Sequence, residues 1–415
     1  PELIQRVLID AVNSGELTED ELELAASQVL ILGEKARKGK EIHYLYDPEV
    51  EHNMALQAAR ECAVLLKNEE NALPLKRAEH IAVIGWYGEN PRIQLCGRGM
   101  VHPYRRHNAV NQIRRFCPEA LYAPGYTPRG EDKNLFAEAL EKAKRADTVI
   151  FFAGFGPREE GEGADRSDLL IPQAQSSLLY ALGELGKKLI VVLNAAGPVE
   201  MPWAGKARGI LLQSYLGQAG PAAVAEILFG EVNPSGKLAE SFPAVLRDTP
   251  SYLYDDDPRG IAYQESVYRG YRYYCTANKP VRFPFGHGLS YTSFAYDRLV
   301  VGGMDGKRGM EVAVDVTNTG IREGKEVVQL YVSDCCPRIF RPTLELKDFK
   351  KITLQPGETK TVQLHLREKD FCFYDTREGC WKRYAGQFEI CVGASCEDIR
   401  LREKVTLCCE TPYVR

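Results

Sequence analysis

Between residues 48 and 250, short apolar runs alternate with helical patterns, and nothing else in the sequence restricts the fold as strongly. The runs Ile81–Ile84, Thr148–Phe152, Leu189–Leu193 and Gly209–Gln213 are too short for buried helices and too continuous for half-exposed strands. Helical patterns fall near Val50–Leu65, Leu135–Arg145, Leu169–Leu185 and Ala219–Phe229. Buried strands separated by helices predict a largely parallel sheet in an α/β sandwich. In such sheets ligands gather at the loops that leave the carboxyl ends of the strands.

One of those loops stands out chemically. After the apolar run from Thr148 to Phe155 comes Glu159-Glu160-Gly161-Glu162-Gly163-Ala164-Asp165-Arg166. Crowded carboxylates cannot all ionise cheaply, so one is expected to hold its proton toward neutral pH, as a general acid requires. The plain alternative is a solvated acidic loop. Ile84-Gly85-Trp86-Tyr87-Gly88 invites a nucleotide-binding reading, but it lacks the G-x-G-x-x-G spacing and an acidic ribose partner.

The flanks read differently. Residues 3–38 predict two helices, the second opened by Thr18 and Glu21 in a capping box. Its apolar positions Leu22, Leu24, Ala25, Val29, Leu30 and Leu32 need a surface to pack on. Residues 1–45 are therefore expected to be the tail and linker of a domain whose body lies upstream, and 46–250 the α/β domain. Residues 251–293, rich in Tyr, Asp, Pro and Gly, predict an irregular connection. From 294 to 415 the pattern turns all-β: Val312, Val314 and Val316 alternate with polar residues, as do Val362, Leu364 and Leu366. With turn signals at Asn318-Thr319-Gly320, Pro356-Gly357 and Ala385-Gly386, about seven short strands predict an immunoglobulin-like or fibronectin-like sandwich.

Composition narrows the partners. Lys and Arg number 53 against 57 Asp and Glu, a net charge of −4 with no basic block, so nucleic acid is not an expected partner. No apolar run has the roughly 18–20 residues of a membrane helix. The 12 cysteines form no C-x-x-C pair and the 7 histidines show no zinc-ligand spacing, so no metal is implied. Cysteines scattered through predicted strands suit reduced, buried thiols. The expectation is a cytoplasmic protein, with export left open because the natural start is expected to lie upstream of Pro1. Self-association is left open as well.

Several longer motifs resemble glycoside hydrolase family 3, the β-glucosidase and β-xylosidase group. They are Ala63 to Asn68 (AVLLKN), Val191 to Trp203 (VVLNAAGPVEMPW), Asn233 to Pro243 (NPSGKLAESFP), Gly270 to Tyr274 (GYRYY) and Phe283 to Thr292 (FPFGHGLSYT). Gly324 to Tyr331 (GKEVVQLY) and Leu346 to Phe349 (LKDF) are similar to its fibronectin-like domain. The resemblance implies a (β/α)8 barrel, an α/β sandwich and a fibronectin type III-like domain in that order. Residues 1–38 then look like the closing helices of a barrel whose remainder, with the nucleophilic Asp, is not in this sequence.

The resemblance further implies retaining hydrolysis of a β-glycoside, with two carboxyl groups about 5–5.5 Å apart across the scissile bond. In many members the acid/base is a Glu on a second-domain loop reaching over the barrel mouth. Gly161-Glu162-Gly163-x-Asp165-Arg166 matches that loop, which nominates Glu162, with Glu160 as the runner-up. Asp165 and Arg166 are expected to be structural, Arg166 pairing with Asp165 or another domain rather than with Glu162. A second loop, Cys96 to Tyr104, occupies the place where the family borders the aglycone, so Arg98 and Met100 are candidate substrate contacts. The implied partners are a β-linked glycoside and the barrel part, and no cofactor is implied. The alternative to catalysis is a glycan-binding or scaffold module.

Overall fold

The computed structural model describes residues 2–40, 46–95, 97, 100–157, 159–163, 166–252, 263–305, 309–408 and 411–413, the first and last few by backbone alone. The chain divides into two units, one up to Glu51 and one from His52 onward.

The first unit contains helices α1 (Glu2–Ser14) and α2 (Glu19–Lys40). The capping box forms: Thr18 Oγ1 accepts from Glu21 N at 3.3 Å, and Glu21 Oε2 accepts from Thr18 N at 3.0 Å. It satisfies two of the amide groups that a helix start leaves over. Helix α2 nevertheless buries no residue. Val29, Leu30 and Leu32 are 70, 73 and 67% exposed, an apolar surface without a partner among the described residues.

Helix α3 (Pro48–Cys62) stops three residues short of the predicted end. The missed element is strand β1 (Val64–Asn68), whose Val64, Leu65 and Leu66 are buried at a sheet edge rather than on a helix face. The other strands are β2 (Ile81–Ile84), β3 (Leu121–Ala123), β4 (Thr148–Gly154), β5 (Lys188–Asn194) and β6 (Gly209–Leu212). They form one sheet in the order β1-β6-β5-β4-β2-β3. Every pairing is parallel except β1 with β6. Strands β2, β4 and β6 are buried at every position, as continuous apolar runs require. Helices α4 (Trp86–Glu89), α5 (Ala109–Arg114), α6 (Lys133–Lys144), α7 (Gln173–Gly183) and α8 (Gly220–Leu228) connect the strands. Gly85, at φ 120°, answers to packing: a Cβ there would collide with the Phe152 carbonyl of β4. Its role is close approach of two strands, not a phosphate cradle.

The described part of the stretch expected to be irregular contains regular elements. It carries helix α9 (Tyr271–Ala277) and strand β8 (Val281–Phe283), which pairs with β7 (Phe242–Pro243). Aromatic packing orders it, with Tyr271 stacked on Phe285 at 4.5 Å. Beyond it, the backbone of Leu289 bonds to Leu65 of β1 (N–H to O, 2.8 Å), and His287 bonds to the Leu66 carbonyl at 2.9 Å. Asn233 Oδ1 receives Ser290 Oγ and Tyr291 N.

The last part is a sandwich of two antiparallel sheets. One holds β9 (Phe294–Val301), β10 (Met310–Asn318) and β13 (Thr359–Leu366). The other holds β11 (Gly324–Asp334), β12 (Glu345–Leu354), β16 (Gly386–Gly393) and β17 (Ile399–Leu407). Val312, Val314, Val316, Val362, Leu364 and Leu366 all point into its core, as their alternation predicts. A small third sheet joins β14 (Phe373–Asp375), β15 (Cys380–Arg383) and β18 (Thr411–Tyr413). Ten of the cysteines are described, and each is a free thiol. No described helix is long and apolar enough to cross a membrane.

Candidate active site

Strand β4 runs buried to Gly154, where the acidic loop begins. Gln175 fixes that point: its amide donates to Gly154 O and its carbonyl accepts from Gly154 N, both at 2.8 Å. The carboxylates that look crowded in sequence then separate. Glu159 turns back onto the Gly156 N–H at 2.8 Å. Glu160 points inward and is 6% exposed. Glu162, two residues on, is exposed. Crowding is thus relieved by geometry, since each of the first two carboxylates takes its own donors.

Glu160 is a hub joining four loops at the carboxyl ends of parallel strands. Its oxygens accept from Ala196 N after β5 at 3.0 and 3.2 Å and from the Tyr215 hydroxyl after β6. Arg92, from the segment after β2, lies 3.9 Å from its carboxylate and donates to its carbonyl. The same guanidinium donates to Phe155 O at 3.1 Å, Gly156 O at 2.9 Å and the Tyr215 hydroxyl at 2.7 Å. Burial, and next the Glu160 carboxylate, push the Tyr215 hydroxyl far above its ordinary value, so it stays a donor. Burial, with Glu159 beside it, pushes Tyr87 to about 12.

Arg166 lies beside the buried carboxylate of its own loop. Its nearest carboxylate among the described residues is Glu160, at 3.6 Å, in the same domain. It also donates to Pro198 O at 2.9 Å and lies over the Phe155 ring at 4.5 Å. Asp165, one of the two expected partners, lies outside the described residues, as does Arg98.

Glu162 meets the second loop. Gly97 has φ 139°, and a Cβ there would stand 2.5 Å from Glu162 Oε2. Only a glycine lets this backbone close on the Glu162 side chain. Gln94 ties that loop's ends by accepting from Val101 N at 3.0 Å and donating to Val101 O at 3.1 Å. Met100, the other candidate contact, is 61% exposed. Further along, Gln218 accepts from Tyr104 N at 2.8 Å and reaches His52 Nδ1 at 3.0 Å. His52 Nε2 and His107 Nε2 stand 3.1 Å apart, within hydrogen-bond distance of each other. Burial, then His52, lowers the His107 pKa.

Sequence reasoning missed Arg92, Tyr215 and the histidine pair. Tyr215 was within reach, lying two residues beyond a predicted strand on the carboxyl side where ligands gather. Arg92 carries no local signal, because its partners are 63 to 123 positions away.

Comparison with known proteins completes the description. The profile of the glycosyl hydrolase family 3 C-terminal domain matches residues 63–291, and that of the fibronectin type III-like domain matches 326–396. The thermostable beta-glucosidase B of Acetivibrio thermocellus is 40% identical over 412 residues, covering 97% of this chain and 54% of that protein. An exo-alpha-(1->6)-L-arabinopyranosidase of Bifidobacterium longum is 37% identical, covering 94% of this chain and 54% of that protein. The crystal structure of the Bifidobacterium adolescentis GH3 beta-glucosidase superposes with a TM-score of 0.93 at 37% identity, over 98% of this chain and 61% of the other. The chain spans about half the length of the curated relatives it matches. With its α/β sheet domain and its sandwich both matched in order, the chain belongs to glycoside hydrolase family 3.

Proposed function

We propose that this chain is the C-terminal part of a retaining β-glycosidase, foremost a β-glucosidase that removes terminal non-reducing β-D-glycosyl residues. Glu162 is its general acid/base. The attacking Asp belongs to a (β/α)8 barrel part outside this sequence. The observation that carries this reading is the split between the two glutamates. Glu160 is buried and engaged by donors from three other loops, while Glu162, two residues on, stands exposed. A rigid base under an exposed carboxyl is what proton transfer to a leaving oxygen needs.

In this mechanism Glu162 protonates the glycosidic oxygen as the barrel's Asp attacks the anomeric carbon. The resulting carboxylate then takes a proton from the water that releases the sugar. The Gly97 loop, closed on Glu162, borders the aglycone, and Met100 and Arg98 are its candidate contacts. The uncovered apolar surface of α2 supports docking against a barrel. The relatives' names include both a glucosidase and an arabinopyranosidase, so sugar choice is assigned to the barrel.

The test combines this chain with a separately produced barrel part and measures aryl β-glucoside cleavage. Glu162→Gln is expected to lower kcat by about 10²–10⁴-fold, and azide is expected to rescue Glu162→Gly. Full activity in Glu162→Gln would refute the assignment.

A further inference from the structure

A cleft of about 1230 Å3 opens on the all-β part, beside the small sheet of β14 and β15. It exceeds the roughly 300–1,000 Å3 of most single-ligand pockets. Its walls combine two features. The first is an aromatic shelf. Tyr374 and Trp381 are register partners across β14 and β15, with rings 5.8 Å apart at 75°. They are 49 and 40% exposed, and Phe340, which also lines the cleft, is 80% exposed. Flat apolar surface left open to water costs free energy unless something covers it.

The second feature is charge. Six Arg and Lys side chains line the cleft against three carboxylates, in a chain whose net charge is −4. The three carboxylates already have partners. Glu345 is held by Lys347 at 2.6 Å and Arg341 at 3.3 Å, Asp370 by Arg367 at 3.1 Å, and Asp375 by the Tyr384 hydroxyl at 3.0 Å. Arg341 is 8% exposed and is fixed between Glu345 and the Phe371 carbonyl, so part of the wall is rigid. Lys369 and Arg377, by contrast, have no carboxylate within ion-pair distance among the described residues.

We infer that this cleft, whose lining includes no residue of the Glu159–Glu162 loop, binds an acidic oligosaccharide of the uronic-acid class. The apolar faces of two pyranose rings cover Trp381 and Tyr374, and ring carboxylates meet Lys369 and Arg377. A sugar carries an apolar face and a hydrogen-bonding rim on one ring, which suits a shelf bordered by Arg, Lys and carboxylate groups. An apolar protein segment would leave the cationic rim desolvated without partners. A nucleic acid is disfavoured by the chain's net charge of −4 and its lack of a basic block. The inference draws on the glycosidase reading only for the class of ligand.

Calorimetric titration of the 415-residue chain with trigalacturonate tests it. Saturable binding is expected, weakening as salt rises from about 50 to about 500 mM. Quenching of tryptophan emission should accompany it and be lost in Trp381→Ala, since of the three tryptophans Trp203 is buried, Trp86 is packed against the α/β core and Trp381 faces the cleft. Trp381→Ala, Tyr374→Ala and Arg377→Ala should each weaken binding about tenfold or more, with unchanged circular dichroism. Cellotriose should bind at least about tenfold more weakly. Glu162→Gln should bind trigalacturonate as the parent does, which separates this inference from the catalytic assignment. The inference is overturned if trigalacturonate does not bind, if inorganic sulfate competes at equal concentration, if cellotriose binds as well, or if the folded variants bind like the parent.

Discussion

Replacing Glu160 by Gln tests the hub directly. The substitution keeps the side chain's size and removes its charge. Arg92 and Arg166 have side chains only 8 and 16% exposed, and Glu160 only 6%. At that burial, solvent does little to screen the loss. Breaking a buried ion pair by removing one partner costs about 3–5 kcal/mol, because the remaining charge is left uncompensated. The carboxamide also turns a donor toward Ala196 N, Tyr215 or a guanidinium, each of which already donates. The cost falls on the loops rather than on the whole sheet, so it appears as local opening. Amide hydrogen exchange at Ala196 is the direct assay, because that N–H is bonded to Glu160. Since 1.4 kcal/mol is a factor of ten, protection should fall between about a hundredfold and several thousandfold, down to the exchange rate of the open loop. Glu162→Gln, at an exposed position, should change stability by no more than about 0.5 kcal/mol. If Glu160→Gln leaves Ala196 protected, or if the two variants cost the same, the hub does not exist as described.

Gly97→Ala forces an L side chain into a conformation at φ 139° and against Glu162. It should cost about 1–3 kcal/mol by urea unfolding and lower the kcat of the reconstituted enzyme by up to about a hundredfold through a misplaced acid. The sandwich should weaken in acid through Asp315, whose pKa is lowered to about 2 by its bonds to Arg298 and then Thr361. A depressed carboxyl pKa contributes stability above the unfolded value of 3.8, and that contribution is lost as pH falls toward 2. Asp315→Asn should therefore flatten the unfolding profile of the sandwich across that interval, followed by near-ultraviolet circular dichroism.

The parts legible in the sequence are those where one physical term dominates. β4 and β5 are buried at nearly every position, so their apolar runs announce them. The sandwich strands show one wet and one dry face, so Val312 to Val316 alternate. β1 was hidden because Ala63 to Leu66 continues the apolar pattern of α3, and only the neighbouring β6 decides between helix and strand. In the acidic loop the cluster was visible, but not its division of labour. Glu160 and Glu162 differ by one intervening glycine, and the donors that claim Glu160 come from Arg92, Ala196 and Tyr215, far along the chain. Motif resemblance could nominate Glu162, but burial alone sets it apart from its neighbour.

The backbone bond from Leu289 to Leu65 has a practical consequence for anyone dissecting this molecule. β1 is the outermost strand on its side of the sheet, and its far edge would offer unpaired amides and carbonyls to any other extended chain. Residues 286–291, which come just before the sandwich, seal that seam, with His287 on Leu66 and Tyr291 anchored to Ile227. A truncation that removes the sandwich but keeps this hem should remain monodisperse, whereas one that cuts a few residues earlier would turn a shielded margin into a sticky one.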